Sequence, residues 1–187
     1  VGLAEATGLP DASLDCVCVA EALHWFDEEA FWVEARRVLK PGGIVAVIGY
    51  AGAEITNNAR AEAIFARLFR EELGPYWHPR KWIVDELYVG HEPPSPPFED
   101  VRRVEGLQIV RRWTVEDAVR NARSWSGYAT KLDRDGIAMG SEQDPAVILA
   151  RDLERVVVVE GEGGAEGRPP FDVAWPLVVI LATKPRE

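Results

Sequence analysis

A chain of 187 residues with 47% hydrophobic and 28% charged residues is long enough for a real core and is not compositionally disordered. Its formal net charge of -10 argues against the basic stripe of a nucleic-acid binder, so Arg36-Arg37, Arg102-Arg103 and Arg111-Arg112 read as solvated faces. Two cysteines are too few for a disulfide scaffold, three histidines add no metal-ligand set, and no apolar run approaches the ~20 residues of a membrane helix.

In chain order, residues 1–10 read as the end of a strand running into a loop. "LDCVCVA" (14–20) is Val-rich with little alternation, the mark of a strand buried on both faces, with Cys16 and Cys18 packing as small hydrophobes. Asp27 can cap the next helix, where Phe31, Ala35, Val38 and Leu39 keep an i, i+4, i+7, i+8 stripe. Lys40 falls in its last turn, Pro41-Gly42-Gly43 stops it, and "IVAVIGY" (44–50) is a second buried strand. Strand, helix and strand make a βαβ unit with a parallel pair.

Asn57 or Asn58 opens a second helix through Leu73, with Ile64, Phe65, Leu68 and Phe69 on its apolar face. Residues 74–100 lose periodicity, hold Tyr76, Trp77, Trp82 and Tyr88, and turn proline-rich after Gly90. Two readings stand: a functional flap, or a loop pinned to the core by its aromatics. A strand is expected over 101–113. Thr114 to Asp117 then resembles a capping box, and Asp144-Pro145 starts a helix reaching Arg155. "VVVVEGEGGAEG" (156–167) imitates a nucleotide loop. It leads into Arg168-Pro169-Pro170 rather than a helix and carries Glu160, Glu162 and Glu166, so it reads as an acidic loop. "FDVAWPLVVILAT" (171–183) closes the chain as an antiparallel strand.

The stretch "GLAEATGLPDASLDCVCVAEALHWFD" followed by "EARRVLKPGGIVAVIGY" resembles class I S-adenosylmethionine-dependent methyltransferases of the type 11 group, nearest the trans-aconitate-methyltransferase-like branch. The resemblance covers residues 2–50 closely and is loose beyond. It implies one α/β domain over 1–187: a Rossmann-like parallel sheet with flanking helices and a C-terminal antiparallel strand, lacking the first two strands. The glycine-rich loop and the ribose-binding acid of the family are then expected upstream of Val1. By the same resemblance Ala4, Glu5, Ala20, Glu21 and Trp25 would bind S-adenosylmethionine. His24 would be the catalytic candidate, as a base or as a positioning group. A small-molecule methyl acceptor is expected, with no metal, no nucleic acid and no membrane as partner, in the cytoplasm. The alternative is a non-catalytic remnant or partner-binding module that has lost donor binding.

Overall fold

The βαβ unit forms where the apolar runs place it. In the computed structural model, which describes residues 2–159 and 171–186, β1 covers Leu14–Ala20, α1 Glu28–Val38 and β2 Leu39–Tyr50. Asp27 caps α1 by accepting from the Ala30 N–H at 3.2 Å, and Glu28 and Glu29 complement the helix dipole in its first turn. β1 and β2 run parallel, from Cys16↔Ile44 to Ala20↔Ile48. β5 (Phe171–Thr183) lies antiparallel beside β2, from Ile44↔Thr183 to Tyr50↔Leu177. The sheet is therefore mixed and Rossmann-like, with the closing strand antiparallel as expected.

Several expectations need correction, two of them in this βαβ unit. Lys40-Pro41-Gly42-Gly43 lies inside β2 rather than ending α1, which stops at Val38. The pairing jumps from Leu14↔Leu39 to Cys16↔Ile44, so these residues bulge out of the ladder, where proline's missing donor costs nothing. Gly42 takes φ +78° there and donates to the Lys184 carbonyl at 2.9 Å, while Lys40 pairs with Asp15 at 2.9 Å. The second correction concerns burial. Val19, Val45 and Val47 are buried, but alternation turns Cys16, Cys18, Ile44 and Tyr50 to the opposite face, where all four are exposed. The two thiols are free and open rather than packed. The residues of that face are nearly as apolar as those of the buried one, so the usual in–out signature is missing.

The chain divides into two compact units, each assembled from separated segments. Unit 1 comprises Val1–Gly52, Arg80–Gln108 and Pro176–Glu187. Its core gathers Leu23, Phe31, Trp32 and Leu39 with Val178 and Ile180 of β5. The middle segment contributes α3 (Lys81–Asp85), the fully buried Tyr88, the buried Phe98 and the start of β4 (Glu99–Trp113). Residues 2–10 form a turn with a Leu3↔Ala6 bridge in place of the expected strand end.

Unit 2 comprises Ala53–Pro79 and Ile109–Trp175. It holds β3 (Glu54–Ile55), α2 (Ala59–Ala66), α4 (Val115–Arg123), α5 (Ser126–Asp135) and α6 (Pro145–Val159). Asn58 caps α2 through the Ala61 N–H at 2.9 Å, and the Thr114–Asp117 capping box closes from both sides. α2 was expected to continue regularly to Leu73, but Arg67–Glu72 winds as a π-helix. α6 passes Arg155 and takes in the valine run, and the acidic glycine-rich residues 160–167 lie outside the described residues. Phe65, Phe69, Trp77 and Trp125 pack edge to face or tilted, with ring centroids 5.0–5.9 Å apart. Among the described residues, no helix is long and apolar enough to cross a membrane.

Candidate functional site

The carboxyl ends of β1 and β2 carry the densest chemistry of unit 1, as α/β folds generally do at strand ends. β1 stops at Ala20, and Glu21 follows at φ +52°, a left-handed conformation uncommon for a non-glycine residue. Its N–H still donates to the Ile48 carbonyl at 2.9 Å, while its carboxylate accepts from the Tyr50 N–H at 2.6 Å. Glu21 thus ties the two strand ends together. Burial raises its pKa, against the Tyr50 N–H and the charge of Lys81, which lower it. The Tyr50 phenol is raised in turn, by burial and then by the Glu21 charge. Lys81 pairs with Asp85 at 3.0 Å, and Asp85 accepts from the Gly52 N–H at 2.7 Å, fixing α3 to the end of β2.

A short 3-10 turn, Leu23–Trp25, follows Glu21. Leu23 anchors it in the core. His24 is 5% exposed, and its Nδ1 lies 2.9 Å from the Tyr88 hydroxyl. The next side chain is open to solvent: Trp25 is 51% exposed, with its ring 4.7 Å from the His24 ring. Arg80 Nη1 reaches the carbonyls of His24 at 3.4 Å and Phe26 at 3.3 Å, clasping the turn from outside. Residues 24–28, with Arg80 and Ile83, line an open cavity of about 450 Å³.

Of the residues picked from the sequence, His24 and Trp25 come into ring contact, and Glu21 lies at the head of the same turn. Ala20 is exposed at the end of β1. Ala4 and Glu5 sit in the 3–6 turn, with Ala4 packed against the unit 1 core and Glu5 Oε1 accepting from the Asp27 N–H at 2.9 Å. That bond brings residues 2–10 to the start of α1, where Glu5, Asp27, Ala30 and Glu34 border a cleft of about 390 Å³. Glu34 holds the same segment lower down, accepting from the Thr7 N–H at 2.8 Å and its hydroxyl at 2.5 Å. Tyr50 and Arg80 have no signal in the sequence, and Tyr88 stands there only as one aromatic of residues 74–100, because their partners lie tens of residues away. Arg103 was read as a solvated residue. Instead it donates to the Leu87 carbonyl at 2.7 Å and the Tyr88 carbonyl at 3.4 Å. Among the described residues no cluster of His, Cys, Asp or Glu could hold a metal.

A half-buried carboxylate, a buried imidazole and an exposed indole follow one another at one strand end, and a carboxylate and a π-face each attract a cation. Comparison with known proteins finds methyltransferases. Residues 1–47 match the "Methyltransferase domain" family. A protein of Dictyostelium discoideum described as a candidate methyltransferase is 33% identical over 182 residues, 97% of this chain and 64% of its own length. An uncharacterized methyltransferase of Mycobacterium tuberculosis is 44% identical over 48 residues, 26% of this chain and 20% of its own. The solved structure of a candidate type II methyltransferase from Anaeromyxobacter dehalogenans superposes with a TM-score of 0.75 at 28% identity, covering 100% of this chain and 72% of that one. The chain thus spans 64% of the length of the Dictyostelium relative.

Proposed function

We propose, for a chain that belongs to the class I S-adenosylmethionine-dependent methyltransferases, that it forms the acceptor side and part of the donor side of an enzyme methylating a small molecule. The observation that carries this reading is the strained Glu21 at the joined ends of β1 and β2, directly ahead of the His24–Trp25 turn. Strain of this kind costs about 1–3 kcal/mol and is commonly kept where a side chain must be aimed at a ligand. When bound, S-adenosylmethionine supplies an electrophilic methyl on a sulfonium. Glu21 and the exposed Trp25 face suit the positive end of that donor, Glu21 by charge and Trp25 by its π-face. Ala4, Glu5 and Ala20 complete the donor side by the positions that the family resemblance gives them.

In this reading His24 positions groups at the transfer site. An in-line displacement at a charged sulfonium methyl gains most from alignment and exclusion of water, and proton removal need not limit it. The net charge of -10 favours a small acceptor over nucleic acid. We place the reaction in the cytoplasm and involve no membrane. Isothermal titration of the complete gene product with S-adenosylmethionine is the test. Glu21→Gln and Trp25→Ala are each expected to weaken binding by about tenfold, ~1.4 kcal/mol. Unchanged affinity in both variants would remove the donor from this strand end. The 187 residues alone are expected to bind the donor weakly, because the family's glycine-rich loop and ribose-binding acid have no counterpart in their sequence.

A further inference from the structure

Residues 87–92 link the His24 turn to the first turn of α1, and one side chain of β4 fixes their backbone. Leu87 and Tyr88 both take left-handed conformations, φ +56° and +59°. Two bulky neighbours do not keep that region unaided, because each Cβ crowds the carbonyl that follows it. Arg103 holds both residues by their carbonyls: Nη2 donates to Leu87 at 2.7 Å and Nη1 to Tyr88 at 3.4 Å. The rest of its fork is engaged as well, Nη1 with Glu92 at 3.2 Å and Nε with Glu105. Those two carboxylates offset the charge of a guanidinium whose side chain is only 18% exposed. The backbone held in this way turns the Tyr88 ring into the core, where β2 leaves room for it at a glycine. A Cβ at Gly49 would lie 2.9 Å from Tyr88 Cδ2 and nearer still to Cε2, closer than side chains pack. The Tyr88 hydroxyl ends 2.9 Å from His24 Nδ1, with the two rings stacked at 6.0 Å. At the other end His91, whose N–H donates to the same Tyr88 carbonyl at 3.1 Å, meets Glu28 of α1 at 2.7 Å.

We propose that Arg103 is a positioning residue for the transfer site: by clamping Leu87 and Tyr88 in the left-handed region it keeps the Tyr88 hydroxyl against His24. The role asks for arginine in particular. Two successive carbonyls and two carboxylates need donors spread over a planar fork, whereas a lysine ammonium offers one point of charge on a flexible stem. Once the carbonyls are released, residues 87 and 88 relax toward negative φ, which carries the Tyr88 ring away from Gly49 and off the imidazole. In methyl transfer, which rests on the reading above, Arg103 acts on His24 through Tyr88 and not on donor or acceptor.

The His24 ring signal in ¹H–¹³C spectra of the 187-residue chain at pH 7, assigned by its loss in His24→Asn, tests this. Arg103→Gln and Tyr88→Phe are each expected to move it, and adding Arg103→Gln to Tyr88→Phe is expected to move it no further. Arg103→Lys, which keeps the charge beside Glu92 and Glu105, is expected to move it as Arg103→Gln does. An unmoved signal in folded Arg103→Gln or Arg103→Lys, or a shift that adds to that of Tyr88→Phe, would overturn the proposal. Should the variants not fold, the unaltered chain decides. A clamped guanidinium gives separate Nη signals, assigned through the side-chain carbons of Arg103, and a single averaged Nη signal would show that it turns freely and clamps nothing. In the complete gene product, Arg103→Gln is expected to lower kcat by ~3–10-fold, no further than His24→Asn, with the donor Kd within about twofold. An unchanged kcat beside a moved His24 ring would remove the role in transfer. The spectra need no donor, and failure of the methyltransferase reading would appear instead as absent donor binding in the unaltered gene product, so the two failures are told apart.

Discussion

At the scale of single residues, two neighbours in one turn separate packing from function. Trp25 is 51% exposed, so its replacement removes little buried surface. Exposed substitutions usually fall within ~0.5 kcal/mol of neutral, far below the ~3–5 kcal/mol of a buried tryptophan. Trp25→Ala should therefore leave the thermal midpoint almost in place while methyl transfer by the complete gene product falls by at least tenfold. Equal turnover per folded molecule would return Trp25 to the role of a surface aromatic. His24→Asn asks a different question. An amide can hydrogen-bond but cannot accept a proton near neutral pH, and a general base typically contributes ~10²–10⁴-fold. The expected loss is within ~10-fold, with the pH–rate profile from pH 6 to 9 unchanged in shape. A fall beyond ~10³-fold with loss of the acidic limb would make His24 the base.

Among the elements, those defined by local chemistry were legible and those defined by distant partners were not. The stripe from Phe31 to Val38 behind Asp27 is enough to place α1, and the Thr114–Asp117 pair starts α4 where its spacing says. In the sequence the Lys40 to Gly43 bulge reads as a stop, since proline and glycine look the same whether they end a helix or kink a strand; only the Leu14↔Leu39 pairing distinguishes them. α5 carries no start signal in the sequence, because Trp125 at its N-cap offers no capping side chain. For the site, His24 and Trp25 stood out beside a strand end, whereas Tyr88 reaches His24 across 64 residues and Arg103 was masked by its charge. Glu34 gives α1 a testable pH signature. Hydrogen bonds from Arg37, then from the Thr7 hydroxyl and N–H, lower its pKa from 4.5 to about 2. The folded value lies below the unfolded one, so its contribution is complete above pH 4.5 and is lost as pH falls toward 2. Urea midpoints followed by tryptophan fluorescence should drop through that window, and Glu34→Gln should flatten the drop. Parallel curves for the two proteins would show that the carboxylate does not couple residues 1–10 to α1.

At the scale of the whole molecule, the open face of β1 and β2 sets the solution behaviour. Cys16 and Cys18 are both free and exposed on it. An aromatic disulfide reagent should titrate two thiols per chain in native buffer, at a rate little changed by mild denaturant. Two thiols that react only after unfolding would mean that this face is covered in solution. The division into units has another consequence, for synthesis. The chain passes from one unit to the other four times, and Pro176–Glu187 supplies the strand that pairs with β2 from Ile44 to Tyr50. Domains that are contiguous in sequence can fold as they leave the ribosome, first come, first folded. Here Val1–Gly52 emerges early and must wait with one edge of β2 bare, while more than a hundred residues are translated, until its last strand arrives. Unit 1 therefore cannot complete the pairing of β2 until Pro176–Glu187 has been made, and a ribosome stalled anywhere before Pro176 holds a nascent chain with an unpaired apolar edge, a substrate for chaperones.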